Sequence, residues 1–95
     1  MPGYWIVRAS ALEDQEAFDE YVRRWPDVAQ RFNAKLLGGR SRFESPEGEA
    51  PSRVTLVEFP SYEDALACYN DAEYRKALPF VLKAGKRDLL IVEGV

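Results

Sequence analysis

The order of strand-like and helix-like segments constrains this chain more than any other feature of its sequence. Runs of aromatic and β-branched residues are typical of strands, and four such runs span residues 4–9, 35–44, 54–59 and 89–92. Apolar residues recur at helical spacing in two stretches between these runs, over residues 18–32 and 66–81. The sequence therefore predicts the order strand, helix, strand, strand, helix, strand.

Local signals predict where the helices begin and end. Asp14 is suited to cap the first helix, and Asn33 tolerates the left-handed conformation that ends one. Pro26 interrupts the first apolar stripe, which predicts a kink or two helical segments meeting near Trp25. These signals together predict a first helical region that is disturbed near its middle.

The second half of the chain carries similar signals. Ser61 is placed to cap the second helix, and residues 70–72 predict a break in it. Pro79 is expected to start or kink a third short helical piece. Gly38 and Gly39 weaken the second strand and predict a bulge there.

This order over 95 residues predicts a single α+β domain spanning residues 1–95, with the ferredoxin-like βαββαβ sandwich fold. Its antiparallel four-stranded sheet carries the helices on one face.

Alternation divides the strand residues between two faces that are both largely apolar. The wholly apolar face should lie under the helices. It holds Trp5, Val7, Ala9, Thr55, Val57, Phe59, Leu90 and Val92, whereas Leu89 and Ile91 are assigned to the other face.

Two helices cover only one face of such a sheet, so the face that bears Arg8 and Glu58 needs another partner. The strand spacing and the rise per residue give this uncovered face an area on the order of 400 Å² in projection. This is near the upper size of an exposed apolar patch on a monomer. A second copy packed sheet against sheet is the simplest cover, because isologous dimers are the commonest closed assembly. We therefore expect a homodimer formed through the sheet face.

Arg8 and Glu58 are expected to lie side by side on that face, because the first and third strands are taken to be parallel central neighbours. One interpretation is a structural ion pair buried in the dimer interface. The other is that Glu58 serves as a base or ligand anchor at the mouth of an apolar cavity, with Arg8 and burial setting its pKa. The sequence favours the structural interpretation.

Composition narrows the classes of function. The net charge of -3 offers no basic field for nucleic acid, and no apolar run is long enough to span a membrane. The absence of histidine excludes Ser/His/Asp and Cys/His nucleophile systems and argues against zinc or iron sites, so no cofactor or metal is expected. A single cysteine and no leader-like N-terminus make a reducing, cytoplasmic setting the expected location.

The segment VEFPSYEDALACYNDAEYRKAL, together with the closing DLLIVEGV and the opening GYWI, resembles the domain-of-unknown-function 1330 family. The resemblance spans nearly the whole chain, and its most specific part is the EFPS strand-to-helix junction combined with the IVEGV end. It implies a dimeric α/β barrel built from ferredoxin-like subunits. It implies no activity. Cys68 takes the place of a tryptophan that is usual in the family.

Two functions of different class remain. The first is binding of a small apolar or aromatic metabolite without catalysis, which the lack of histidine favours. The second is a cofactor-independent enzyme of oxygenase or isomerase type, with Glu58 as acid or base. Whether the protein is an enzyme is left open. The ligand-binding candidates are Arg8, Arg40, Glu58, Tyr69 and Tyr74.

Simpler interpretations apply to several of these side chains and their neighbours. Tyr69 and Tyr74 are more often helix-packing residues than ligand contacts. Cys68 is expected to be an inert buried thiol. Arg87 is taken as a solvated charge near a helix end, and Leu66 as a packing residue.

Overall fold

The computed structural model describes residues 1–39 and 42–95. These residues form four strands and three helices: β1 Gly3–Ala9, α1 Gln15–Arg31, β2 Lys35–Gly38, β3 Arg53–Phe59, α2 Tyr62–Tyr69, α3 Ala72–Ala84 and β4 Arg87–Glu93. The predicted order of elements is confirmed, with the second helical region divided into α2 and α3.

The four strands form one antiparallel sheet in the order β2-β3-β1-β4. Gly3 of β1 is opposite Phe59 of β3, and Ala9 is opposite Arg53, so these central strands run antiparallel. The prediction that the first and third strands are parallel is therefore wrong. In a βαββαβ chain the second strand returns beside the third by a hairpin, and this connection leaves β1 and β3 pointing in opposite directions.

Helix α1 starts and ends where its local signals place it. The Asp14 carboxylate accepts a hydrogen bond from the Ala17 backbone N–H at 3.0 Å, which satisfies one of the donors that every helix start leaves free. Asn33 has a φ of 53°, the left-handed conformation expected just beyond the helix. Pro26 lies within one continuous helix, so the alternative of two separate segments is wrong.

Helices α2 and α3 meet at the predicted break. Ser61 caps α2 by accepting from the Asp64 backbone N–H, and Asp71 caps α3 by accepting from the N–H groups of Glu73 and Tyr74. The third helix begins at Ala72 rather than at Pro79, which lies inside it. The strength of the Asp71 cap explains why the helix starts before the proline.

Strand β2 is shorter than predicted and covers only Lys35–Gly38. Its pairing with β3 is irregular between Leu36 and Gly38, as the two glycines suggest. Residues 42–44, which belong to the predicted strand, have no regular structure. Arg40 lies outside the described residues.

The core lies between the sheet and the helices and is centred on Trp5. The Trp5 indole N–H donates to the Ala65 carbonyl at 3.0 Å, which joins the middle of β1 to α2. Buried β-strand residues around it include Val7, Val57 and Phe59. The predicted helix-facing side is therefore correct for β1 and β3.

The assignment of β4 is wrong by one residue. Leu89 and Ile91 pack against the core, whereas Leu90 and Val92 face outward. An apolar run of four residues has no alternation of its own, so its phase depends on its pairing with β1. Leu66 was likewise expected to pack, but Ala65 and Cys68 form the buried side of α2, and Leu66 is exposed.

The face of the sheet opposite the helices is apolar and open. Its central residues include Ile6, Leu90 and Val92, which are 39%, 62% and 38% exposed. This confirms that the face with Arg8 and Glu58 is the uncovered one. Within the part of the chain that is described, no helix has the length and hydropathy needed to cross a membrane.

Candidate ligand-binding site

A cavity of about 130 Å³ lies between the helix-covered face of the sheet and helix α1. Its floor is formed by helix-facing side chains of β1 and β3, and α1 forms the roof. The lining residues are Trp5, Val7, Ala9, Phe18, Tyr21, Val22, Trp25, Leu36, Arg53, Thr55, Val57, Val81 and Arg87. Most of this surface is aromatic or aliphatic, so the cavity suits an apolar ligand.

Aromatic rings make up the inner part of the cavity. Trp5 and Trp25 have ring centroids 5.5 Å apart, and Tyr21 is stacked with Trp25 at 6.5 Å. Their positions follow from two periodicities: Trp5 is in the middle of β1, and Tyr21 and Trp25 are four residues apart on one face of α1. The rings pack against one another and form the inner wall of the cavity.

The sheet register brings two arginines to the other end of the cavity. Ala9 of β1 is opposite Arg53 on β3 and opposite Arg87 on β4. The two arginines therefore flank Ala9 on the same face, and their Cα atoms are separated by two strand spacings, about 10 Å. Because Ala9 carries only a methyl group, the space between the two long side chains is not filled by the central strand.

Arg87 belongs to a small hydrogen-bonded group beneath α1. Its guanidinium donates to the Tyr74 hydroxyl at 2.7 Å, and that hydroxyl is 3.0 Å from the Tyr21 hydroxyl. Burial, followed by the neighbouring Tyr21, raises the pKa of Tyr74, so the phenol stays neutral. Burial alone would lower the pKa of Arg87, but Tyr21 and Tyr74 outweigh it and the pKa is raised. The group is a cation that donates to the neutral Tyr74 phenol and lies over the Tyr21 ring.

Arg53 has a different set of contacts. Its guanidinium lies over the Phe18 ring at 5.0 Å, and its Nε donates to the Ser10 carbonyl at 3.2 Å. Burial, and then the charge of Arg87, lowers the pKa of Arg53. The two arginines therefore sense each other's charge across Ala9 while both remain protonated.

The two predicted tyrosine candidates have different surroundings. Tyr74 is completely buried on α3, and its ring packs against Trp5 with centroids 5.2 Å apart. Its hydroxyl reaches the cavity end only through Arg87 and Tyr21. Tyr69 is half-buried at the end of α2, packs against Trp5 at 5.9 Å, and has the Arg75 guanidinium over its ring. The structure brings Tyr74, but not Tyr69, together with the lining residues of the cavity through a hydrogen bond.

Arg8 and Glu58 do not lie side by side, so the predicted pairing is wrong. Arg8 is opposite Val54, whereas Glu58 is opposite Tyr4, because β1 and β3 are antiparallel. Four residues along a strand separate the two side chains by about 13 Å. Arg8 donates to the Glu49 carbonyl at 2.7 Å, and Glu58 accepts from the Tyr4 hydroxyl at 3.4 Å. Both lie on the open face, on the far side of the sheet from the cavity.

Cys68 is completely buried on α2, as expected. Burial, with a smaller effect from Asp71, raises the pKa of its thiol to about 12. A thiol with this pKa is almost entirely protonated near neutrality and is a poor nucleophile. The prediction of a buried thiol is confirmed.

The sequence did not reveal Arg53 and Arg87 as a pair. Arg87 was interpreted as a solvated charge, but it is half-buried at the first position of β4. The available signal was that each arginine lies just before a strand-like run: Arg53 is followed directly by Val54 to Phe59, and Arg87 is two residues before Leu89 to Val92. Only the strand register shows that both are opposite the same alanine.

Comparison with known proteins identifies the fold and the family. A protein from Nitrosomonas europaea, provisionally assigned as an antibiotic biosynthesis monooxygenase, is 27% identical with a TM-score of 0.61, and the match covers 99% of this chain and 90% of that one. A protein of unknown function from Rhodopseudomonas palustris is 20% identical with a TM-score of 0.70, covering 99% and 82% of the two chains. No curated protein matches the chain.

A third similar structure is a dimeric ferredoxin-like protein of unknown function from Jannaschia sp. CCS1. It is 14% identical with a TM-score of 0.68, and the match covers 99% of this chain and all of that one. The predicted ferredoxin-like fold is confirmed by these similarities. The model of the family described as domain of unknown function (DUF1330) matches residues 2–95, and the chain belongs to that family.

Proposed function

We propose that this protein binds a small apolar or aromatic metabolite in the cavity between α1 and the sheet. The cavity of about 130 Å³ carries the proposal, because it is close in volume to an engineered apolar cavity of about 150 Å³ that binds benzene. Aromatic rings form the inner part of its wall. The ligand is thus expected to contain one aromatic or similarly sized apolar ring.

Access to the cavity is past the rim formed by α1 and β2. Val22 and Leu36 line the cavity and are 43% and 46% exposed. These two side chains therefore contact both the cavity and solvent. A larger side chain at Val22 should close the opening while leaving the buried walls unchanged.

Probe binding tests this function. Benzyl alcohol, a neutral single-ring compound, should change the fluorescence of Trp5 and Trp25 saturably and raise the melting temperature. The variant Val22→Trp should lose the response. Leu82→Trp is the matched control, because Leu82 is an exposed residue of α3 outside the cavity lining. Equal binding by native protein and Val22→Trp would contradict the proposed location.

The open sheet face supports a homodimer. Two pairs of opposite charge flank its apolar centre in register, Arg8 with Asp88 and Lys35 with Glu58. The charges at these four described positions sum to zero, so they give no net repulsion between two copies of the same face. The similar Jannaschia protein is dimeric, and such a partner would cover the exposed apolar residues of this face.

Light scattering at micromolar concentration tests the dimer. The native chain has a mass of 10.8 kDa, and a dimer should scatter as a particle of twice that mass. Leu90→Asp should produce a monomer, because it places a charge in the centre of the open face. Leu82→Asp introduces the same charge on an exposed position of α3 and should remain dimeric. A native monomer would contradict the sheet-to-sheet packing.

A cofactor-independent enzyme with Glu58 as acid or base is the second candidate. It is supported by the similarity to the Nitrosomonas europaea protein and by the position of Glu58, half-buried beside the Tyr4 hydroxyl on the face proposed to lie inside the dimer. Glu58→Gln keeps the shape of the side chain and removes its basicity. An unchanged turnover in this variant would exclude Glu58 from the reaction.

A further inference from the structure

Arg53 and Arg87 form a pair of cations beside the cavity. Among residues 1–39 and 42–95, five ion pairs are present, and neither arginine takes part in any of them. The contacts of the two guanidiniums are neutral instead: a carbonyl, a phenol and two aromatic rings. Charged side chains that are partly removed from water usually persist by pairing with opposite charge.

The position of the two arginines also favours a ligand over a structural role. Both project from strand positions on either side of Ala9 and line the same cavity. Two guanidinium groups that line one cavity offer N–H donors suited to a carboxylate, which accepts hydrogen bonds through two oxygens. Aromatic faces on the α1 side, from Phe18 and Tyr21, hold the guanidiniums in place.

We propose that Arg53 and Arg87 bind the carboxylate of a single-ring aromatic or similarly apolar acid, whose ring lies among Trp5, Tyr21 and Trp25. This inference rests on the proposed function, because it assigns the charge of the ligand in the same cavity. Trp5 lies among the aromatic rings and Ala9 lies between the two arginines. These two residues are four positions apart on β1, so their Cα atoms are separated by about 13 Å. The Tyr21 ring connects the two ends, because it packs against Trp25 and its centroid is 5.5 Å from the Arg87 guanidinium.

A second, more open depression adjoins the arginine end of the cavity. It shares Ala9 and Arg87 with the cavity, and its lining includes Arg8 and Lys86. The volume of this depression is about 410 Å³. Positive charge at this end favours approach of an anion, although the acidic side chains of Glu49 and Asp88 also line it.

Benzoate and benzamide provide a matched test, because they share a ring and a similar size but differ in charge. Titrations of purified protein, followed by tryptophan fluorescence and melting temperature, should show benzoate binding roughly tenfold or more tightly than benzamide. Arg53→Gln and Arg87→Gln should each remove this preference and leave benzamide binding nearly unchanged. Arg75→Gln is the matched control, since it removes the same charge from an exposed position of α3 outside the lining of the cavity and of the adjoining depression.

Stability is measured for each variant, since Arg87→Gln also removes the hydrogen bond to Tyr74. Arg53→Lys adds an independent test: it keeps the charge but loses the fork geometry, so it should weaken benzoate binding less than Arg53→Gln does. This comparison remains valid even if the Arg87 variant does not fold.

The possible results separate this inference from the proposed function. Equal affinity of native protein for benzoate and benzamide overturns the carboxylate assignment while the apolar cavity function stands. Loss of the benzoate preference in Arg75→Gln, but not in Arg53→Gln, also overturns it. Stabilisation by inorganic phosphate as large as that by benzoate would assign the arginines to a free anion and overturn the combined site. Failure of both ring compounds and benzyl alcohol to bind overturns the proposed function itself.

Discussion

Tyr74→Phe removes a single buried hydroxyl on which two elements depend. That hydroxyl accepts a hydrogen bond from Arg87 of β4 at 2.7 Å and lies 3.0 Å from the Tyr21 hydroxyl of α1. Tyr74 itself is on α3, so the substitution loosens a contact among all three elements. The phenyl ring remains in place beside Trp5, and the loss is therefore confined to hydrogen bonding.

The expected loss follows from the type of hydrogen bond. A bond to a charged group contributes about 1.5–3 kcal/mol, and a neutral one contributes about 0.5–1.5 kcal/mol. Because Arg87 is only half-buried, the loss in the free energy of unfolding should lie at the lower end of the combined range, about 2 kcal/mol. For a domain of this size, such a change lowers the melting temperature by about 10 °C.

Unfolding is followed by far-ultraviolet circular dichroism in heat and in urea, at one fixed protein concentration because a dimer's stability depends on it. Tyr21→Phe should lower the free energy of unfolding by about half as much, since the hydrogen bond from Arg87 to Tyr74 survives. The double variant should lose less stability than the sum of the two single variants, because both substitutions remove the same Tyr21–Tyr74 hydrogen bond. Tyr69→Phe is the control, as it removes a hydroxyl from a ring that also packs against Trp5. A loss in Tyr74→Phe no greater than in this control would refute the reasoning.

Three other predictions follow from the helix caps, the glycines and the thiol. The ion pair with Arg31 holds the pKa of Asp71 below its usual range. The ionised Asp71 therefore contributes its full stability above about pH 4, and this contribution is lost as the pH falls through the lowered pKa of the folded state. Asp71→Asn should therefore flatten the decline in urea stability below about pH 4, whereas a decline as steep as in native protein would contradict the assignment. Gly39 has a φ of 105°, and a Cβ there would overlap a backbone carbonyl. Gly39→Ala should therefore lower the free energy of unfolding by more than about 1 kcal/mol, whereas a Cβ at Gly38 would lie in open space. Cys68 should resist thiol reagents until urea unfolds the protein; rapid labelling of the folded state would contradict its burial.

Much of the fold could be predicted because its signals are local. Asp14, Ser61 and Asn33 act on backbone groups within four residues, so their roles follow from residue type and position. Alternation likewise assigned the faces of β1 and β3, because Arg8 and Glu58 fall on one face of the predicted strands and leave the other wholly apolar. The fold class then followed from the order of the elements.

The candidate site could not be predicted in the same way, because it depends on pairing between distant strands. Arg8 and Glu58 share a face, as alternation indicates, but their separation is set by the direction of β3. Leu90 was assigned to the wrong face because an unbroken apolar run does not determine its own phase. Arg53 and Arg87 are 34 positions apart in the sequence, and only the register at Ala9 relates them.

Register also explains how one thin sheet supports two separate surfaces. Ala9, with Arg53 and Arg87 opposite it, faces the cavity, and the adjacent row of Arg8, Val54 and Asp88 faces the other way. Moving β4 by one residue would place Asp88 beside the cavity and Arg87 on the open face. An anion would then meet a carboxylate, and the dimer face would gain an unbalanced cation. The same pairing therefore determines the charge at the ligand cavity and the charge balance at the proposed dimer interface, although the two surfaces share no side chain.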